Sequence, residues 1–375
     1  MEYEVITDLE SFNKNINDYR TFISHFDDAH YEYRPEYILG LFESDTDYQP
    51  IIIVLKYANK IILVAPFVKI KQLQELKFGL YTIFKYHINE VRLLGSHFIH
   101  EPTENIYALY KKVFDILHDN KFTHDILKFY IDSTSSIIHY LKRNHLAIGA
   151  LKCKITDSHP HYRLLLKKDY NDFFLNLPRH TRRLFLKSER LLTDNHILEL
   201  KLITEEKDVP LFHQQITEIL THSWKKNYFS PPQLDQITFM AKLDYLRSYL
   251  LYINNEPIAF LYAIQPNEKE LLFIETGYKA EWKNYSPGRV LYFNIIKNLY
   301  SYKKPEICDL GEGANDLKLD IANNMLTTLV IICYKKRTLL SLLIAVQSTL
   351  QKIYIFNSKL IKATKLDKYI RKLIK

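Results

Sequence analysis

The sequence predicts a mixed α/β fold, an α+β mixed sheet, arranged as two similar halves, and three observations carry that expectation. Short apolar runs of strand length alternate with segments whose apolar residues recur at helical spacing. Ser248–Ile253, Ala259–Ile264 and Leu271–Thr276 read as a three-strand meander. A polar stretch bearing proline, Asp157-Ser158-His159-Pro160, separates two regions that repeat the same order of elements. With 375 residues the chain has the length of two domains, each large enough for its own core.

In the first half, 1–157, Ser11–His25 has helical spacing and Pro35-Glu36-Tyr37-Ile38-Leu39 opens a short helix. Ile51–Leu55 and Ile61–Pro66 are two strands joined through Asn59-Lys60 as a hairpin. Val91–Gly95 is a further strand, and Glu104–Asn120 is a helix with Ile106, Leu109, Tyr110, Val113 and Phe114 on one face. Leu127–Ile131 and Ser136–Asn144 follow as strand and helix.

The second half, 158–335, begins with strand Tyr162–Leu166 and one basic helix over Tyr170–Asp194. Strand Leu198–Ile203, helix Pro210–Ser223, a loop with Pro231-Pro232 and helix Leu234–Lys242 lead into the meander. After it come a helix from Pro287, strand Ile307–Leu310 and a closing strand Thr327–Tyr334. The remainder, 336–375, reads as a basic amphipathic helical tail.

Composition excludes several classes. Hydrophobic residues at 47% and charged residues at 25% are values of a packed globular chain. The net charge of +8 is uneven, because Gln351–Lys375 holds eight Lys and Arg against Asp367 alone. The body is therefore nearly balanced, which argues against a nucleic-acid-binding surface over its whole face. Three cysteines, Cys153, Cys308 and Cys333, are odd in number and lack CxxC spacing. They point to a reducing compartment and to neither a disulfide framework nor a zinc site, and Cys308 and Cys333, beside apolar runs, read as buried. The acidic first ten residues have no apolar centre, and no apolar run reaches the ~18 residues of a membrane span. The expectation is a cytoplasmic protein, soluble or peripheral.

Two motifs stand out because the chain has only eight glycines and three of them fall here: Ser286-Pro287-Gly288-Arg289 and Asp309-Leu310-Gly311-Glu312-Gly313, the latter followed by Lys318. Ser286 suits an N-cap and Pro287 the first helical turn, before the periodic run Val290–Leu299. Free N–H groups at a helix start, with about half a positive charge, bind phosphate. Tyr285, Ser286, Gly288, Arg289 and Val290 are accordingly the candidate cofactor-binding residues. A lysine beside a glycine turn and an anion-binding helix start is placed to hold phosphate or a developing oxyanion. Lys318 is therefore a catalytic candidate, with Asp309 and with Glu275 on the strand before the helix.

These residues carry a family resemblance. The order strand, SPGR, helix, D-L-G-E-G and Leu317-Lys318 resembles the second half of the FemAB/CelD-like acyltransferases of the GNAT superfamily, whose pattern is SPG, helix, D-[FL]-G-x-G-x-x-x-[YL]-K. Phe173-Phe174-Leu175 with Arg179, Arg182, Arg183 and Arg190 resembles the family's arginine-rich helix, and Trp224 and Glu256-Pro257-Ile258-Ala259 match further places. The usual Arg/Gln-x-x-Gly-x-Gly/Ala donor loop is reduced here to its central glycine. The likeness spans about 160–335 and is weaker over 1–155.

The resemblance implies two tandem GNAT-like domains in a FemAB-like architecture. It implies an N-acyltransferase with acyl-CoA (acetyl-CoA) as donor and a small molecule or surface-polysaccharide precursor as acceptor. Arg179, Arg183, Trp224 and Glu312 would bind that acceptor. Arg179, Arg182, Arg183, Lys187 and Arg190 form one helical stripe that suits an acidic substrate. Two alternatives stand beside this: a peptidyltransferase using aminoacyl-tRNA, for which the stripe would hold RNA, and a non-catalytic interaction protein of the same fold. No metal is expected, since neither His159-Pro160-His161 nor the His97/His100 pair has a third ligand at suitable spacing. In the tail, Leu366, Tyr369, Ile370 and Leu373 share a face opposite lysines, which suits an anionic membrane surface or docking on the body.

Overall fold

The computed structural model describes residues 1–26, 30–43, 48–78, 81–119, 124–194, 196–226 and 230–363. In chain order its elements begin β1 (Glu2–Ile6), α1 (Leu9–Ser24), α2 (Pro35–Glu43), β2 (Tyr48–Tyr57), β3 (Lys60–Phe78), β4 (Tyr81–Leu93) and β5 (Ile99–His100). Next come α3 (Ile106–Asp119), β6 (Ile126–Asp132), α4 (Ser136–Arg143), β7 (Ala147–Ile148), β8 (Leu151–Leu165), α5 (Tyr170–Asn176) and α6 (Arg179–Thr193). Then follow β9 (Leu198–Ile203), α7 (Val209–Thr221), α8 (Leu234–Lys242), β10 (Ser248–Ile253), β11 (Glu256–Ile264) and β12 (Glu270–Tyr278). The last are α9 (Pro287–Ser301), β13 (Ile307–Glu312), α10 (Asp316–Ile321), β14 (Asn324–Lys335) and α11 (Leu339–Ala363). The apolar tail residues from Leu366 to Leu373 lie outside the described residues.

The chain divides into two compact units, one of Met1–Ser158 together with the chain from Leu329, the other of His159–Thr328. The sequence gives the closing strand Thr327–Tyr334 to the second half. In the structure β14 begins at Asn324, and from Leu329 it belongs to the first unit.

In the first unit the strand order is β1-β2-β3-β4-β6-β14-β8. The β2–β3 hairpin turns on Ala58 and Asn59, both at positive φ, which matches the twist of a tight two-residue turn. Ile51, Ile53 and Leu55 face one core with Phe98, Tyr110 and Phe129, while Ile52 and Val54 face another with Phe12, Tyr19 and Phe22 of α1. Burial on both faces is why β2 reads as a continuous apolar run rather than an alternating one. β3 and β4 extend far beyond the strands expected from the sequence, pairing from Phe67↔Leu93 out to Phe78↔Tyr81. Cys153 and Cys333, expected as free thiols, are joined as a disulfide across neighbouring strands, and Cys308 is free. The sequence separation of 180 between the paired cysteines hides that proximity from the sequence.

The second unit orders its strands β9-β10-β11-β12-β13-β8. β9 to β12 are antiparallel neighbours, β13 runs parallel to β12, and β8 returns antiparallel to β13. The helix expected over Tyr170–Asp194 is two helices, because Pro178 bars continuation and holds Leu177 extended (φ −67°, ψ 150°). α6 packs on α9 through Phe185 and Phe293, whose stacked rings lie 4.2 Å apart.

Candidate active site

The site begins with a break in the sheet. β12 and β13 pair at only three positions, Glu270↔Ile307, Leu271↔Cys308 and Leu272↔Asp309. Beyond Leu272, β12 continues to Tyr278 with a partner on its β11 side alone. A register shift helps part the strands: Tyr262 pairs Glu275 and Ala263 pairs Phe273, leaving Ile274 as the extra residue of a bulge. A bulge bends its strand and sharpens the local twist.

Charged side chains gather beside this parting. Lys225 Nζ contacts Glu275 Oε1 at 2.5 Å and donates to the Thr276 carbonyl at 2.8 Å, and the Thr276 N–H donates to Glu275 Oε1 at 3.2 Å. The unpaired edge of β12 is thus engaged by its own neighbours. Lys318 Nζ donates to the Glu312 carbonyl at 2.7 Å, and the Asn315 side chain caps the short helix that carries it, accepting from the Lys318 N–H at 2.8 Å. Burial holds the Lys318 ammonium below its ordinary pKa. Lys225 adds to that depression, while Asp309, Glu312 and Glu275 oppose it.

Asp309 sits at the foot of the cluster, buried. Its oxygens lie 2.6 and 2.7 Å from His161 Nε2, Arg163 Nε donates to it at 3.2 Å, and the Gly311 N–H donates at 2.8 Å. Burial alone would raise its pKa, but His161, Arg163 and the Gly311 N–H outweigh it and hold the carboxyl below its ordinary value. Gly311 has φ +77°, so the backbone reverses there without the strain a side chain would bring. Asp309 therefore organises the turn. His161 is tied on its other nitrogen, with Nδ1 3.3 Å from Thr328 Oγ1.

The helix start differs from its sequence reading. Ser286 occupies the N-cap position but lies in the left-handed region (φ 53°), and its side chain makes no cap hydrogen bond. Pro287 has no N–H to offer. Arg289 Nη1 donates to Asp320 Oδ2 at 2.8 Å, and His180 Nε2 lies 3.3 Å from the other oxygen of Asp320, so α6, α9 and α10 meet there. Val290 is fully buried in the core and Tyr285 packs against Trp282. Gly288 is the open position, since a Cβ there meets nothing closer than the Tyr278 ring at 3.6 Å.

The structure thus brings together Glu275, Asp309, Lys318 and the backbone of Glu312. Arg179 and Arg183 are exposed on α6, and Trp224 is 60% exposed, with Lys225 Nζ 6.0 Å from its ring centre. Sequence reasoning missed Lys225, Arg163 and the role of His161. The period-two spacing of His161 and Arg163 on one strand was the available signal; nothing marked Lys225. Among the described residues no group of three His, Cys, Asp or Glu gathers as if to hold a metal.

Residues 179–319 match the family model of the GNAT acetyltransferase domain. The fold is that of FemX, with TM-score 0.57 at 10% identity over 89% of this chain and 97% of that one. It is equally that of a tandem GNAT protein from the clavulanic acid biosynthesis pathway, with TM-score 0.52 at 8% identity over 90% of this chain and 100% of the other. The C-terminal domain of a putative lysylphosphatidylglycerol synthetase from Agrobacterium fabrum gives TM-score 0.52 at 10% identity, over 90% and 95% of the two chains. A search of curated protein sequences finds no match. Residues 179–319 thus resemble a GNAT acetyltransferase domain, and the fold over most of the chain is similar to those of FemX and a tandem GNAT protein.

Proposed function

We propose that the second unit transfers an acyl group from acyl-CoA to an amine or hydroxyl of a small molecule or a surface-polysaccharide precursor. The observation that carries this is the parting of β12 from β13 with Lys225, Glu275 and Lys318 gathered beside it. In this reading the acceptor nitrogen or oxygen attacks the acyl carbonyl directly, a C–N or C–O bond forms, the C–S bond of the donor breaks, and CoA leaves as its thiolate, which takes a proton from solvent. Glu275 takes the proton released by the attacking amine. The Lys318 ammonium, half-buried and fixed by the Glu312 carbonyl, stabilises the negative charge that develops on the carbonyl oxygen. Asp309 carries no proton, because His161, Arg163 and the Gly311 N–H already engage it; it positions the turn that presents Lys318. The space over Gly288 receives the donor at the helix start.

A specific observation favours a second reading, an aminoacyl-tRNA donor. The helix start lacks a side-chain cap, Pro287 gives no N–H, and the Arg289 charge is matched by Asp320, so a pyrophosphate finds few free donors there. Arg179, Arg183, Lys187 and Arg190 are all exposed along α6 and would serve a polyanion. Either donor is a cytoplasmic metabolite, and the reading carries that location with it. Calorimetric titration of the full chain with acetyl-CoA decides. Saturable one-to-one binding supports the first reading. No heat from acetyl-CoA, with charged tRNA binding that falls steeply as salt rises, replaces it with the second. Binding of neither donor leaves the interaction protein.

A further inference from the structure

The outward face of α11, in the first unit, is apolar where a water-facing helix should be polar. Its inner face is fixed: Leu340 and Ile344 pack on a small core with Ile88, Ile126 and Tyr334, Gln347 Oε1 accepts from the Lys77 N–H at 2.8 Å, and Tyr354 meets Phe78 edge to face at 6.0 Å. The opposite side therefore has a settled direction. Leu339, Leu342, Val346, Ile353 and Phe356 stand there, spaced at three and four residues with Thr349 completing the row. Their exposures are 74, 59, 36, 45 and 64%. No Asp or Glu occurs in α11, and Lys335, Lys336 and Arg337 stand immediately before it. From Lys335 to the final residue the sequence has eleven Lys and Arg against Asp367. Lys352 and Lys152 both lie near Lys154, and after burial their charges depress the Lys154 ammonium.

An exposed row of this kind calls for a partner. A second copy of the chain would bring the same excess of positive charge against itself, and like charges facing one another oppose association. Among the described residues no helix is long and apolar enough to cross a membrane. An apolar row flanked by basic residues on a helix that does not span is the pattern of a helix lying in a membrane interface. We propose that the Leu339–Phe356 face of α11 docks on an anionic lipid surface, its apolar side chains entering the headgroup boundary and the flanking lysines and Arg337 matching lipid charge. The surface belongs to the first unit and is independent of the donor reading.

Co-sedimentation of the full chain with vesicles tests this. The parent should pellet with vesicles of phosphatidylglycerol and phosphatidylcholine in equal parts, fail to pellet with phosphatidylcholine alone, and release as salt shortens the Debye length. Leu342→Glu/Val346→Glu/Ile353→Glu should lower vesicle affinity by about tenfold or more, because charge replaces the apolar contact. If that variant melts early, Leu342→Ser/Ile353→Ser, both at exposed positions, should still weaken binding severalfold at unchanged melting temperature. Failure of the parent to bind anionic vesicles overturns the proposal, as does equal binding by a folded variant. Removing everything after Ala363 should leave binding in part. Complete loss there, with the α11 variants neutral, assigns the effect to the tail and overturns it too. A lipid-free dimer that the triple variant dissolves, with no vesicle binding, gives the face to a second copy instead.

Discussion

Both units run a strand into two helices, an antiparallel meander of three strands, a helix and a strand parallel to the meander's last. They part company at that last strand. In the second unit, β12 continues six residues past its final parallel pair, Leu272↔Asp309. In the first, β4 continues one residue past Arg92↔Lys128. The loops that follow differ in the same sense. Gly95, at φ +64°, is sealed by its own neighbours: its N–H donates to Glu32 at 2.6 Å, and the Tyr33 hydroxyl accepts from the Ser96 and His97 N–H groups at 2.9 and 3.1 Å. A Cβ on Gly95 would stand 2.2 Å from that hydroxyl, whereas one on Gly288 would find ordinary space. The same plan is repeated twice, with the strands parted in one copy and closed in the other. In the other copy the loop after the strand is packed against Glu32 and the Tyr33 hydroxyl.

The comparison breaks most sharply at Lys318. Lys318→Ala should lower kcat by about 10²–10³, the range for removing one group that stabilises a developing oxyanion, with little change in melting temperature because the side chain is half-exposed. The folded pKa of Lys318 lies below 10.5, so the ammonium is lost at lower pH than for an ordinary lysine. The rate should therefore fall as pH rises through that lowered value, and Lys318→Arg should remove the limb. A kcat unchanged in Lys318→Ala would take the reaction away from this cluster.

The two glycines sharpen the contrast with smaller effects of opposite kind. Gly95→Ala forces a side chain into the Tyr33 hydroxyl at positive φ and should cost on the order of 3 kcal/mol in chemical denaturation, with kcat per folded molecule unchanged. Gly288→Val should shift the melting temperature only modestly and raise the donor KM severalfold, since the added methyls occupy the space over the helix start. Equal stability losses at both positions, or a donor effect at Gly95, would erase the distinction.

Much of the fold was legible. β2, β10 and β11 announce themselves as apolar runs, and the SPGR and D-L-G-E-G motifs marked the right helix and turn. The far half of the β3–β4 hairpin was not legible, because Leu73, Ile83 and Phe84 sit there in the open among lysines and glutamines, without the alternation a buried face imposes. The candidate site was half legible. Lys318, Asp309 and Glu275 follow from local motif logic, but the sequence separations of 148 from His161 to Asp309 and 50 from Lys225 to Glu275 are closed only by tertiary pairing. Ser286 had the right chemistry for a cap and the wrong backbone, since in the left-handed region its hydroxyl makes no cap bond.

If one copy of the repeated plan holds the donor and the other is sealed, backbone amide hydrogen exchange of the full chain, with and without saturating acetyl-CoA, should separate them. Added protection is expected over Ile274–Gly277, Gly288–Val290 and Gly311–Lys318, and none over Gly95–Asn105. Protection over Gly95–Asn105, or its absence from Ile274–Val290 when the donor is bound, would contradict it.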